Sequence, residues 1–228
     1  GESIMPIEQN EITSKMIEKI SAVDNPTIID VGAYTGHLTL KLCKYLDKYR
    51  IYCIEACKKN FKVLSKNTQD DRNISSHYVA ISSHNGVAKF YIAKNKKAGK
   101  GSSQSNSLYK SFLDSKDWAK VKEKEIECMT LDTFCRKNDI QKIDCLKINC
   151  EGCEFDIFDS PTKRFLITTD ILYIEMHGKC YEFNSAEFCN KKKSIVFCLE
   201  QYDFEMIAGD HDLESKTHIR QLWVKKNG

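Results

Sequence analysis

Apolar and polar positions along this chain recur with two periods. Ile7, Ile12, Met16, Ile17 and Ile20 fall mostly at helical spacing, and Asn25-Pro26 stops them, which predicts an N-terminal helical extension over residues 1–26. Residues 27–228 then read as the main domain. Thr27 to Gly32 is a β-branched run ending in glycine, and His37 to Tyr49 carries Leu38, Leu42, Tyr45 and Leu46 on one helical face. The unit repeats: Ile51 to Glu55 is strand-like, Asn60 to Lys66 helical, and Ser76 to Ile81 strand-like again. Asn85-Gly86 signals a turn into an extra strand, Val87 to Ala93, and the polar stretch Lys94 to Ser107 is expected to be an exposed, mobile loop.

Ile143 to Asn149 and Asp170 to Met176 are near-continuous apolar runs of the kind a parallel sheet buries on both faces. Helices Glu151 to Phe158 and Ser185 to Leu199 are predicted to alternate with them. Phe204 to Gly209 and His218 to Lys225 should close the chain as an antiparallel hairpin across Asp210 to Thr217. The alternation predicts an α/β, Rossmann-like, doubly wound sheet of about seven mostly parallel strands, with ligands bound just beyond the strand C-termini.

Composition narrows the class without naming a chemistry. With 41% hydrophobic and 29% charged residues in 228, the chain is globular rather than disordered or fibrous. Its longest apolar run, Ile195 to Leu199, is far below the roughly 20 residues a membrane span needs. Residues 1–9 show no basic region followed by an apolar one, and eleven cysteines, an odd number, suit reduced thiols better than a disulfide framework. A cytoplasmic setting is expected. The net charge of +3 is too small to point to a partner.

Asp30-Val-Gly32-Ala-Tyr-Thr-Gly36 follows a strand and opens a helix, where glycines permit a tight turn and close approach of a ligand. The Gly-x-x-x-Gly spacing lacks the middle glycine of dinucleotide folds. Glu55 ends the next strand, 19 residues past Gly36, where an acidic side chain can accept both hydroxyls of a ribose. Either half has a plain structural reading, helix packing for the glycines and a solvated strand end for Glu55. Together they point to a nucleoside-type cofactor.

The first segment, with Ile54-Glu55-Ala56, resembles the S-adenosylmethionine site of class I methyltransferases. Thr130-Leu131-Asp132 followed by Leu146-Lys147-Ile148-Asn149-Cys150-Glu151-Gly152-Cys153-Glu154 resembles more narrowly the FkbM family, whose hallmark is Lys-Ile-Asp-x-Glu-Gly-x-Glu. The resemblance spans about Ile28 to His177 and implies a class I methyltransferase fold with S-adenosyl-L-methionine as cofactor. It places Asp30, Gly32, Ala33, Tyr34 and Gly36 along the methionine portion, Glu55 and Ala56 at the ribose, and Ala80, Ile81 and Ser82 beside adenine. Asn149 stands where the family has Asp, which removes a carboxylate from a position implied to touch cofactor or acceptor. O-methylation of a sugar, glycan or other small hydroxylated molecule is the activity implied.

Lys147, Asn149 and Glu151 share a period of two, and would point one way if the strand persisted. A plainer reading has Glu151 and Glu154 capping a helix with Lys147 paired to one of them. Glu175 and His177 share a face at the end of the following strand, and histidine's near-neutral pKa suits removal of a hydroxyl proton. The expected catalytic set is therefore His177, oriented by Glu175 or Glu151, with Asn149 positioning acceptor or cofactor and Lys147 nearby.

Other signals are weaker. Cys150-Glu-Gly-Cys153 has no second C-x-x-C to complete a zinc site, and no metal is expected. Nine lysines against three acids between Lys94 and Lys124, with Tyr109, Phe112 and Trp118 interleaved, would suit an RNA 2′-O-methyltransferase. Asn149 lowers that reading by removing the carboxylate of a Lys-Asp-Lys-Glu tetrad. A non-catalytic binding protein on a degenerate scaffold is the remaining alternative. The loop Lys94 to Ser107 is expected to act as a lid over the acceptor site.

Overall fold

The computed structural model describes residues 7–95, 106–108, 118–178, 186–214 and 218–226. In chain order its elements are α1 (Ile7–Ser21), β1 (Thr27–Val31), α2 (His37–Leu42), β2 (Arg50–Ile54), α3 (Lys58–Thr68), β3 (Ile74–His77), β4 (Ala80–Ile81), β5 (Gly86–Asn95) and β6 (Trp118–Met129). There follow α4 (Leu131–Lys137), β7 (Ile143–Ile148), α5 (Glu154–Phe158), α6 (Arg164–Ile167), β8 (Thr169–His177), α7 (Ala186–Gln201), β9 (Phe204–Gly209) and β10 (His218–Lys225).

The main sheet has the order β3-β2-β1-β7-β8-β10-β9. Its first five strands are parallel, and β10 and β9 close it antiparallel. Strand order reverses between β1 and β7, which opens a crevice beyond their C-terminal ends. Neighbouring residues of β1 serve opposite faces: Ile29 and Val31 join one hydrophobic cluster with Leu146 and Ile174, while Ile28 joins another with Cys145 and Leu222. Burial on both faces explains why these strands read as continuous apolar runs. Helix α1 covers the second face with Ile12, Met16, Ile17 and Ile20.

Several elements differ from the sequence expectation for identifiable reasons. Helix α2 stops at Leu42, because Lys44 and Tyr45 donate to Lys41 and Leu42 three residues back, tightening the chain out of α geometry. The strand expected over Ser76 to Ile81 is two strands: β3 stays in the main sheet, while β4 leaves for a second sheet ordered β4-β6-β5. β6 was hidden because Lys122, Glu123, Lys124 and Glu125 mask its alternation. Within the expected mobile loop, Lys94 and Asn95 belong to β5, and residues 96–105 lie outside those described. Its last two residues, Asn106 and Ser107, are buried, since Ser107 exchanges both backbone bonds with Tyr91 and its hydroxyl donates to Glu151 O at 2.7 Å.

Candidate active site

Beyond the C-terminal end of β1, the chain leaving that strand is held from three directions. Gly32 N and Ala33 N donate to Ile54 O at 2.9 and 3.0 Å, and Asn149 N donates to Val31 O at 3.0 Å. Lys147 Nζ, buried, reaches Asp30 Oδ1 at 2.8 Å and donates to Gly32 O at 2.8 Å and Val31 O at 3.2 Å. The backbones of β1 and β7 approach so closely here that a Cβ on Gly32, whose φ is +78°, would lie 1.8 Å from Asn149 O.

Glu55, at the exit of β2, accepts from Tyr34 N at 2.8 Å and Cys57 N at 2.7 Å, one bond to each carboxylate oxygen. Two backbone donors and the Asn60 side chain fix its orientation, and a carboxylate's lone pairs leave room for a ligand hydroxyl. Burial pushes its carboxyl up to about 7 against the pull of those donors and of Lys147. Beside it opens a cavity of about 440 Å³, within the range of small-molecule sites. Gly32, Tyr34, Glu55 and Ala56 line its β1–β2 end; Val79, Ala80, Ile81 and Phe90 form an apolar wall.

The opposite end is polar. Glu154, fully buried at the start of α5, accepts from His177 N at 2.6 Å and Gly152 N at 2.9 Å, and its Oε1 sits 2.9 Å from His177 Nδ1. Glu151 Oε1 is 3.8 Å from the other ring nitrogen, Nε2. Burial would lower the His177 pKa, but the charge and hydrogen bond of Glu154, then the charges of Glu151 and Glu175, raise it to about 9. Asn149, Cys150, Glu151, His177 and His218 line this end of the same cavity.

The structure therefore sorts the expected site residues. Gly32, Tyr34, Glu55, Ala56, Ala80, Ile81, Asn149, Glu151 and His177 border the cavity, whereas Asp30, Ala33, Gly36, Ser82, Lys147 and Glu175 stand behind it. Lys147 pairs with Asp30 rather than with Glu151 or Glu154, which corrects the capping-pair reading. Ser82 N donates to Met129 O, joining β4 to β6, and a Cβ on Gly36 would meet Leu64 of α3 at 2.9 Å.

His177 is oriented by Glu154, not by Glu175. The carboxylate of Glu175 is taken by Tyr173 Oη at 2.6 Å, His218 Nε2 at 2.9 Å and Arg220 Nε at 3.4 Å. Burial alone would raise its carboxyl, but His218, Tyr173 and Arg220 outweigh that and hold it down at about 2. The period-of-two reading of Lys147, Asn149 and Glu151 ends because β7 stops at Ile148, and Glu151 (φ +56°) and Gly152 (φ +106°) turn the chain. Sequence reasoning missed His218, which the β8–β10 register sets directly opposite His177, and Asn106, which lines the cavity.

Glu175, His177 and His218 bring one ligand atom each within 4.8 Å of one another. Arg220 Nε already stands 3.4 Å from the Glu175 carboxylate there, and the two imidazoles are tilted by 30° with centroids 4.5 Å apart. The Thr130-Leu131-Asp132 segment is architectural: Thr130 Oγ1 caps α4 by accepting from Thr133 N at 3.2 Å, and Asp132 accepts from Arg164 N and Phe165 N at the start of α6.

Among solved structures, the chain is similar to a methyltransferase FkbM from Methylobacillus flagellatus at 13% identity and a TM-score of 0.53, covering 88% of this chain and 44% of that one. This chain thus spans less than half of that protein's length. An rRNA methylase from Streptococcus thermophilus matches at 10% identity and a TM-score of 0.52, covering 98% and 99%. The fibrillarin pre-rRNA processing protein of Methanococcus jannaschii matches at 12% and 0.52, covering 89% and 67%. At such identities these likenesses establish the fold, that of class I methyltransferases. No curated protein matches the sequence. Residues 30–222 match the methyltransferase FkbM domain, so the chain belongs to the FkbM methyltransferase family.

Proposed function

We propose that the protein is an S-adenosylmethionine-dependent O-methyltransferase acting on a hydroxyl of a sugar, glycan or other small molecule. The observation that carries this reading is one cavity joining an oriented carboxylate, Glu55, to an imidazole, His177, held by Glu154. Glu55 would hold the ribose, the wall of Val79, Ala80 and Ile81 would flank adenine, and Gly32 and Tyr34 would border the methionine portion. When bound, the cofactor supplies a methyl group on a sulfonium, which an acceptor oxygen takes while the carbon–sulfur electron pair stays on sulfur.

The chain's own residues supply alignment, exclusion of water and a place for the hydroxyl proton. Glu154 fixes Nδ1 of His177, which leaves Nε2 as the atom to receive that proton. Asn149 and Glu151, at the same end of the cavity, would position the acceptor. A carboxylate and an imidazole side by side suit a neutral, hydroxyl-rich acceptor better than an anionic one.

The described part of the basic stretch does not favour RNA. Lys122 and Lys124 alternate with Glu123, Glu125 and Glu127, and Lys89 pairs with Glu123 at 3.0 Å. Residues 96–105 and 109–117 lie outside the described part. The lysines at 191 and 193 are likewise balanced, by Asp159 and Glu214. Among the described residues no helix is long and apolar enough to cross a membrane.

Labelled methyl transfer to a panel of glycosides and small polyols, beside an RNA pool, tests the proposal. Transfer to the hydroxylated small molecules that falls at least a hundredfold in His177→Ala, with donor affinity retained, is expected. Binding of the donor with transfer to no pool would favour a degenerate scaffold, and transfer to RNA alone would overturn the acceptor class.

A further inference from the structure

Resting on the reading of the cavity as a donor site, we propose that His177 gives up its proton when the sulfonium donor binds and keeps it when the demethylated product, which lacks the sulfonium charge, occupies the same place. The geometry around the ring carries this. Glu154 from α5 meets Nδ1 at 2.9 Å, and Glu151 from the preceding turn stands 3.8 Å from Nε2. From its own strand comes Glu175, paired in turn with Arg220 of β10 and 2.9 Å from His218 Nε2 of the same strand. The His218 ring is tilted by 30° against that of His177, with centroids 4.5 Å apart. From β7, Lys147 is committed to Asp30, and just beyond that strand the Cys150 thiol donates to Glu154 at 3.5 Å.

An imidazole flanked by two carboxylates holds a proton firmly, and His177 titrates at about 9 in the free protein. In that state it is a cation and cannot accept a hydroxyl proton at neutral pH. A second positive charge brought into the same partly buried cavity opposes the imidazolium and favours its neutral form. His177 thus becomes a proton acceptor when a methyl donor is present. Taking the acceptor's hydroxyl proton restores the imidazolium as the sulfonium charge is lost, so the net charge of the cavity is the same before and after transfer. The demethylated product brings no net charge and displaces no proton.

Calorimetric titration at pH 8 with S-adenosylmethionine and with S-adenosylhomocysteine, each in phosphate and in Tris, reads protons released from the buffer dependence of the heat. Wild type minus His177→Gln isolates the share of this residue, since protons exchanged by Glu55 or by the ligand's own amine appear in both. Roughly one proton per site is expected from His177 on donor binding and none on product binding. Equal release for the two ligands, or release that survives in His177→Gln, overturns the proposal. Failure of either ligand to bind wild type overturns the donor reading instead. Should His177→Gln not fold, the ring-nitrogen chemical shifts of His177 in the wild type decide: a neutral ring with donor and a charged ring with product are expected, and a charged ring in both refutes the inference.

Discussion

Glu154 Oε1 receives the backbone N–H of His177 at 2.6 Å and stands 2.9 Å from its ring Nδ1, so one buried oxygen fixes both the chain and the imidazole of the same residue. A carboxylate at Nδ1 leaves Nε2 to accept a proton. Glu154→Gln keeps the shape but offers an amide that stabilises the opposite tautomer. Steady-state kinetics should show kcat lowered by about 10²–10⁴-fold with donor Kd within about threefold of wild type. An unchanged kcat would remove the Glu154–His177 pair from the chemistry.

Donor affinity should depend on pH through Glu55. Its carboxyl lies at about 7 because burial disfavours the charge, yet the ionised form is the better acceptor of ribose hydroxyls. Between pH 6 and pH 8 the ionised fraction rises from about a tenth to about nine tenths, so affinity for the uncharged product should rise about tenfold. Titration calorimetry across that range checks it, and Glu55→Gln should bind weakly with the rise absent.

The same groups set how stability responds to pH. Glu55 and His177 bind protons more tightly folded than unfolded, so their contributions are complete below 4.5 and 6.5 and are lost as pH rises through about 7 and about 9 respectively. Glu175 is opposite in sign: its contribution holds above 4.5 and is lost as pH falls through about 2. The urea midpoint of the free protein should therefore decline from pH 6 to pH 9.5, and His177→Gln should flatten the upper part of that decline.

Lys147 and Asp30 form a buried pair 2.8 Å apart. Lys147→Met leaves a buried carboxylate uncompensated and should cost about 3–5 kcal/mol in urea unfolding. Adding Asp30→Asn should recover a large part of that loss. Donor binding should weaken in both variants, because the Gly32 and Val31 carbonyls lose the ammonium that holds them.

Two glycines of one motif should respond differently to alanine. At Gly32 the new Cβ would meet a backbone carbonyl at 1.8 Å, which nothing short of separating β1 from β7 relieves. At Gly36 it would meet the end of the Leu64 side chain at 2.9 Å, which can move. Gly36→Ala should cost about 1–2 kcal/mol for its left-handed backbone plus a small packing term. Gly32→Ala should fail to give a folded protein, as circular dichroism and thermal melting would show.

Which parts of this were legible beforehand follows from the range of the interactions. β1, β7 and β8 announced themselves because burial on both faces leaves local runs such as Ile143–Ile148, and Glu55 was found because its distance from Gly36 is fixed by one βα unit. β6 was masked by its charged alternation, and the split between β3 and β4 has no local sign. The orienting partner of His177 is expected at Glu175 or Glu151 and is Glu154, for a reason of scale. Sharing a strand face is a sequence property, whereas the reach of Glu154 across from α5 exists only once β7 and β8 pair. His218 lies 41 positions beyond His177 and becomes its neighbour solely through the register of β10.

That register also divides labour within the molecule. One end of the cavity is built from β1, β2 and the exit of β7, while the antiparallel closing strand contributes His218 to the far end. Under the proposed function, changes confined to that last hairpin would retune which molecule is modified without disturbing how the methyl source is held, which makes the C-terminal strands the place to graft new selectivity onto this scaffold.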